Sequence, residues 1–102
     1  MRFAVSVVLH AVDDVPYTET TVEAILDALH ESDAIEDIDA VGALAARELE
    51  LDLVVVASDI DTAWSRTSEA IRFALRHVGG RLVDEPFPMR ATTMQTRELV
   101  DA

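Results

Sequence analysis

The chain contains no cysteine and no lysine. Without cysteine there is no disulfide, no thiolate metal ligand and no cysteine nucleophile, a usage that suits an intracellular protein. Every basic side chain is arginine, and acidic residues outnumber basic ones 20 to 8, for a formal net charge of −12. That balance argues against direct binding to nucleic acid or to an anionic membrane surface, since both need clustered cations to displace counterions. Glycine-rich stretches between a strand and a helix start are also lacking. Gly79-Gly80 reads as a helix stop and not as a phosphate loop. No serine sits in a nucleophile elbow or beside a base. Residues 1–9 are largely apolar but too short to cross a bilayer, and His10 and the acidic pair Asp13-Asp14 follow where a cleavage site would lie. The expectation is a cytoplasmic protein whose first segment is a strand.

What is present is organised around residues 49–58. Leu49 to Leu53 alternate apolar with acidic side chains, as in a strand with one wet face, and Val54, Val55, Val56 and Ala57 are continuously apolar. This stretch reads as a central strand. With 102 residues, half of them hydrophobic, the chain suits a single domain over 1–102.

Around that strand the signals alternate. Phe3, Val5, Val7 and Leu9 share one face of a first strand, with Ala4, Ser6, Val8 and His10 on the other. Helical spacing of Val22, Ile25, Leu26 and Leu29 predicts a helix over 20–31, with Thr20 and Glu23 as its capping box. A polar stretch over 32–39 leads to a short strand at 40–44. A turn at 45–47 that lacks a turn signature then feeds the central strand. Asp59 and Asp61 precede a second helix with Trp64, Ile71, Leu75 and Val78 on one stripe. Residues 81–84 read as a further strand interrupted by Pro86 and Pro88. Residues 89–100 read as an extended, Thr-rich segment, a tail or an exchanged fifth strand.

Strand, helix, strand, strand, helix, strand is the split βαβ order, and the chain resembles the ferredoxin-like fold over nearly its full length. The class is α+β, an antiparallel sheet with two helices on one face. The resemblance implies that the first and third strands lie antiparallel at the centre. It also separates the loops into two poles, so Asp13 and Asp14 lie far from Asp59 and Asp61. A cation site would be limited to Asp33, Glu36, Asp37, Asp39, Asp59 and Asp61, which lack the spacing and turn glycine of an EF-hand. Asp61 is also placed to cap the second helix. No metal and no cofactor is expected.

On the helix-free face, Val8, Val54 and Val56 form an apolar patch together with Ala4 and Ser6. Burying a valine is worth about 1.5 kcal/mol or more, so this patch demands cover. The expectation is a homodimer formed sheet to sheet, with a protein partner or the tail from residue 86 as other covers. Such an assembly resembles the dimeric α+β barrels, a resemblance carried by the strand pattern and His10. It implies small oxygenases, isomerases or dehydratase-like enzymes with a pocket between sheet and helices. His10 is the candidate general base, with Glu50 or Asp52 to orient it across the strand pair. His30 and His77 read as residues complementing helix C-termini, Trp64 as core, and Phe73 as an exposed aromatic off the apolar stripe.

Because so few polar groups converge, the leading expectation is a non-catalytic dimeric interaction or regulatory module. The alternative is a small dimeric α+β barrel enzyme using His10 on an apolar small molecule. An acidic mimic of a nucleic acid is the third reading.

Overall fold

The computed structural model describes residues 1–12, 15–78 and 87–99. Its elements run β1 (Arg2–Ala11), α1 (Glu19–His30), β2 (Ile35–Ala43), β3 (Glu48–Val56), α2 (Ile60–Leu75) and β4 (Met89–Leu99). They build one four-stranded antiparallel sheet in the order β2-β3-β1-β4. This is the ferredoxin-like α+β arrangement.

The alternation of β1 and β3 decides which side is dry. Phe3, Val5, Val7 and Leu9 are buried, as are Leu49, Leu51, Leu53 and Val55, and they pair across the strands from Phe3 with Val55 to Leu9 with Leu49. The helices add Ile25, Ala28 and Leu29 from α1, and Ala63, Thr67, Ala70, Ile71, Ala74 and Leu75 from α2. The spacing of three and four within each helix puts these on one stripe facing the sheet. Thr67 is fully buried among them because its hydroxyl donates to the Ala63 carbonyl one turn back, at 2.8 Å.

Four local expectations are corrected. Thr18, not Thr20, caps α1: its hydroxyl accepts from the Thr21 amide, and the Thr21 hydroxyl accepts from the Thr18 amide. A threonine thus takes the place that Glu23 was expected to hold in the capping box. Asp59, not Asp61, caps α2, accepting from the Thr62 amide at 2.7 Å. Its exposed carboxyl is held below the ordinary carboxylate range, chiefly by the backbone and side-chain hydrogen bonds of Thr62. The third correction is β2, which starts at Ile35 and takes in most of the stretch expected to be loop. As an edge strand its outer positions face water, so Glu36, Asp37 and Asp39 stay solvated while Ile38 packs on the core.

The fourth concerns the last strand. Met89–Leu99 is not an extra or exchanged strand but the edge partner of β1 in the same chain, running from Arg2 opposite Leu99 to Ala11 opposite Met89. A register shift between Val8 and Leu9 inserts an extra residue, which blurs the strand's period. The expected strand at 81–84, the helix stop Gly79-Gly80 and the pair Asp13-Asp14 lie outside the described residues.

The turn between β2 and β3 has its own logic. Arg47 adopts φ 57°, a conformation that normally favours glycine. Its guanidinium donates to the Val12 and Val15 carbonyls at 3.2 and 2.7 Å, and its own carbonyl accepts from the Ala11 amide at 2.9 Å. Those bonds tie the hairpin turn to the segment leading into α1. Tyr17 adds a fourth tie, its hydroxyl donating to the Glu48 carbonyl at 2.7 Å, and burial pushes its phenol pKa up.

Candidate functional site

Two surfaces could carry chemistry, one on each side of the sheet. The helix-free face presents Ala4, Ser6, Val8 and His10 from β1 and Glu48, Glu50, Asp52, Val54 and Val56 from β3. The β1 residues and the valines are half-buried. Register sets their partners. His10 stands opposite Glu48, with Nδ1 to Oε1 at 4.0 Å and both side chains nearly half exposed. Glu50 stands opposite Val8, and Asp52 stands opposite Ser6, whose hydroxyl donates to Oδ1 at 2.6 Å.

The expected pairing of His10 with Glu50 or Asp52 is therefore off by one or two pleats. The central strand begins at Glu48 rather than Leu49, which brings that glutamate level with His10. Sequence reasoning passes over Glu48 because it precedes the clean alternation. A hollow of about 470 Å³ opens on this face, lined by Ala4, Ser6, Asp37, Asp39, Asp52, Val54, Gln95 and Arg97 among others. His10 lies outside it, toward the other end of β1. Asp39 stands opposite Asp52 in this hollow, but no group of three potential ligands among the described residues could hold a metal ion.

On the other side, α1 and α2 leave the β4 edge incompletely covered. A cleft of about 260 Å³ opens there between α2 and the sheet. Its walls are Val7 and Leu9 from β1, Ile71 and Leu75 from α2, and Met89, Ala91 and Met94 from β4. Among the described residues only Ser68 and Arg72 bring polar side chains to it. The geometry follows from the sequence: Ala91 is small where a neighbour on the sheet edge would otherwise fill the space, and methionines adapt to irregular gaps. No expected site residue lies here. His10 is next to Leu9 in the chain but projects from the opposite face of β1. Ile71 and Leu75 were legible as part of an apolar helix stripe, but Ser68 and Arg72 were not singled out, and neither was the strand that this face of α2 would leave uncovered.

Phe73 is exposed, as expected, and is engaged locally. Its ring lies 4.1 Å from that of His77, whose Nδ1 is 2.9 Å from the Phe73 carbonyl. Trp64 is half-buried on α2, while α2's buried stripe is made by smaller residues.

No family model matches the chain, and no curated protein matches it. Solved structures do. A structural-genomics protein, YjcS, superposes with a TM-score of 0.64 at 7% identity, covering 98% of this chain and 100% of its own. A Chloroflexus aurantiacus J-10-fl protein carrying the provisional name antibiotic biosynthesis monooxygenase gives 0.62 at 5% identity, covering 100% and 96%. Rv0793 from Mycobacterium tuberculosis gives 0.52 at 18% identity, covering 100% and 98%. At these identities the likeness is one of fold, and the fold of the described residues is ferredoxin-like. These neighbours also correct the leading functional expectation, that of a non-catalytic interaction or regulatory module. The same architecture is, in one full-length neighbour, that of a protein named as an enzyme. Among the described residues no helix is long and apolar enough to cross a membrane.

Proposed function

We propose that this chain is a small enzyme acting on a predominantly apolar small molecule, held in the cleft between α2 and β4. The observation that carries the reading is the cleft itself. It is about 260 Å³, just under the size of most small-ligand sites, and shares their make-up: aliphatic and methionine walls with two polar groups at hand. The neighbour named as a monooxygenase supports testing oxidation first. The experiment is oxygen uptake and product analysis with a panel of phenols and hydroquinones, using wild type and Ala91→Phe. Turnover that falls at least tenfold in Ala91→Phe supports the cleft. Turnover unchanged by that substitution removes it.

A second location for the chemistry is favoured by the His10–Glu48 contact at 4.0 Å. An imidazole exchanges protons near neutral pH, and a carboxylate across the strand pair can orient it. Such a pair serves a substrate on the helix-free face only, so His10→Asn separates the two locations. Loss of turnover in His10→Asn with Ala91→Phe unaffected moves the site to that face.

The helix-free face is also the proposed dimer surface, and its charges are divided. Asp37 and Asp39 on β2 and Glu48, Glu50 and Asp52 on β3 occupy one half, while Arg90 and Arg97 on β4 occupy the other. A two-fold axis parallel to the strands lays each acidic half over the partner's basic half. It sets Arg97 over the partner's Asp37 and Ala4 over the partner's Val54. An axis perpendicular to the strands sets acid on acid. Charge matching and the half-buried Val8, Val54 and Val56 support a second copy, in the first orientation, as the cover.

A further inference from the structure

We infer that the cleft between α2 and β4 selects an apolar anion, a flat or branched hydrocarbon bearing a carboxylate or phenolate, and that Arg72 reads the charge. This rests on the reading of that cleft as the ligand site and names the ligand's class.

In a chain with 20 acidic residues and 8 arginines, an arginine has abundant carboxylates to pair with. Arg2 takes Glu36 at 2.8 Å, Arg47 takes the Val12 and Val15 carbonyls, Arg66 takes the Val56 carbonyl at 2.7 Å, and Arg76 is also engaged. The Arg72 guanidinium, like those of Arg90 and Arg97 on β4, has no hydrogen-bond or ion-pair partner among the described residues. What sets Arg72 apart is its place: among the described residues it is the one charged side chain on the wall of an otherwise apolar cleft, and no described carboxylate shares that wall. Charge in this protein is overwhelmingly negative, yet the described wall of the cleft carries a cation.

Position strengthens the point. Ser68 and Arg72 are four residues apart on α2, so their side chains lie one above the other on the same face. The hydroxyl can donate to the same oxyanion that the guanidinium grips. A guanidinium offers a planar fork of donors matching a carboxylate, and a charge-assisted bond beside low-dielectric walls is stronger than the same bond in water. A neutral isostere with the same hydrocarbon would fill the cleft but leave Arg72 without an anion. Met89, Ala91 and Met94, which keep accessible surface above the buried Val7, Leu9, Ile71 and Leu75, then supply affinity by burial, and Arg72 with Ser68 supplies discrimination.

The test is calorimetric titration of the full chain with 2-naphthoate and with its neutral counterpart 2-naphthamide, at one ionic strength. Wild type is expected to bind naphthoate at least tenfold more tightly than naphthamide. Arg72→Gln is expected to erase that preference by weakening naphthoate alone, Arg72→Lys to keep part of it, and Ala91→Phe to abolish binding of both. Circular dichroism of each variant checks that the fold is intact. Equal binding of the two probes by wild type, or a preference that survives in Arg72→Gln, overturns the assignment of charge reading while leaving the cleft as a ligand site. Binding of neither probe, or binding indifferent to Ala91→Phe, overturns the assignment and the proposed function together.

Discussion

The two faces of the sheet are made by the same strands and differ in almost everything else. On the helix side of β1 and β3 every residue from Phe3 to Leu9 and from Leu49 to Val55 is apolar and at most 2% exposed. On the other side the same strands alternate hydroxyl, imidazole, carboxylate and half-buried valine. The first face is given over to the fold, because removing any of its side chains leaves a hole that neighbours cannot fill. The second makes few contacts that the fold requires, so its chemistry is free to be used for association or a site. The cleft lies beside that dry face at the sheet edge, where Met89, Ala91 and Met94 of β4 keep apolar surface accessible.

The largest expected effect breaks the comparison at its root. Leu51→Ala, on the dry face, should destabilise the protein by about 2–5 kcal/mol in urea denaturation, through lost burial and a cavity. Val54→Ala, three residues along on the other face, should change the stability of the monomer by less than about 1 kcal/mol. Similar losses at both positions would mean that the fold depends on the helix-free face as heavily as on the covered one.

Next is association. Arg97→Glu should raise the dimer dissociation constant at least tenfold in sedimentation velocity, and Asp37→Arg combined with Arg97→Glu should recover most of that loss. A wild-type protein that stays monomeric at micromolar concentration would remove the proposed cover of this face.

A smaller effect concerns the ties between the hairpin turn and the segment before α1. Tyr17→Phe loses one hydrogen bond to the Glu48 carbonyl, and a loss of roughly 0.5–1.5 kcal/mol is expected near neutral pH. Tyr17 also carries a pH signature. Burial raises its folded pKa above the unfolded value, so its contribution is whole below about pH 10 and is lost as pH rises through the folded value. The alkaline fall in stability should be shallower in Tyr17→Phe than in wild type.

The smallest is the cap of α2. The Asp59 carboxyl titrates lower in the folded state than in the unfolded one, so its stabilisation is present above the unfolded value near pH 4 and fades as pH drops through the folded one. Asp59→Asn should flatten the acid limb of the stability profile slightly while leaving neutral stability almost unchanged, since asparagine also caps.

The covered face was legible in the sequence because period-2 alternation in 3–9 and 49–55, and three-four spacing in the helices, are direct consequences of burial. The open face was legible only as composition. Whether His10 meets Glu48, Glu50 or Asp52 depends on register, which is set by turn length and by where β3 begins. The turn has no Gly or Asn to mark it, its left-handed residue being Arg47 with a guanidinium anchored elsewhere. β2 was hidden for a related reason, since an edge strand rich in acids lacks the apolar pattern that marks a central one. The cleft was not legible at all. It arises from how two helices of particular length fail to cover four strands, with an alanine at the edge and a register shift in β4 beside it.

The most direct test of the central claim is to map the amide and methyl shifts of the isotope-labelled chain by NMR as 2-naphthoate is added. Saturable shifts confined to Val7, Leu9, Ser68, Ile71, Arg72, Leu75, Ala91 and Met94 are expected. Shifts centred instead on Ala4, Ser6, Val54 and Gln95, with the cleft silent, would contradict that claim.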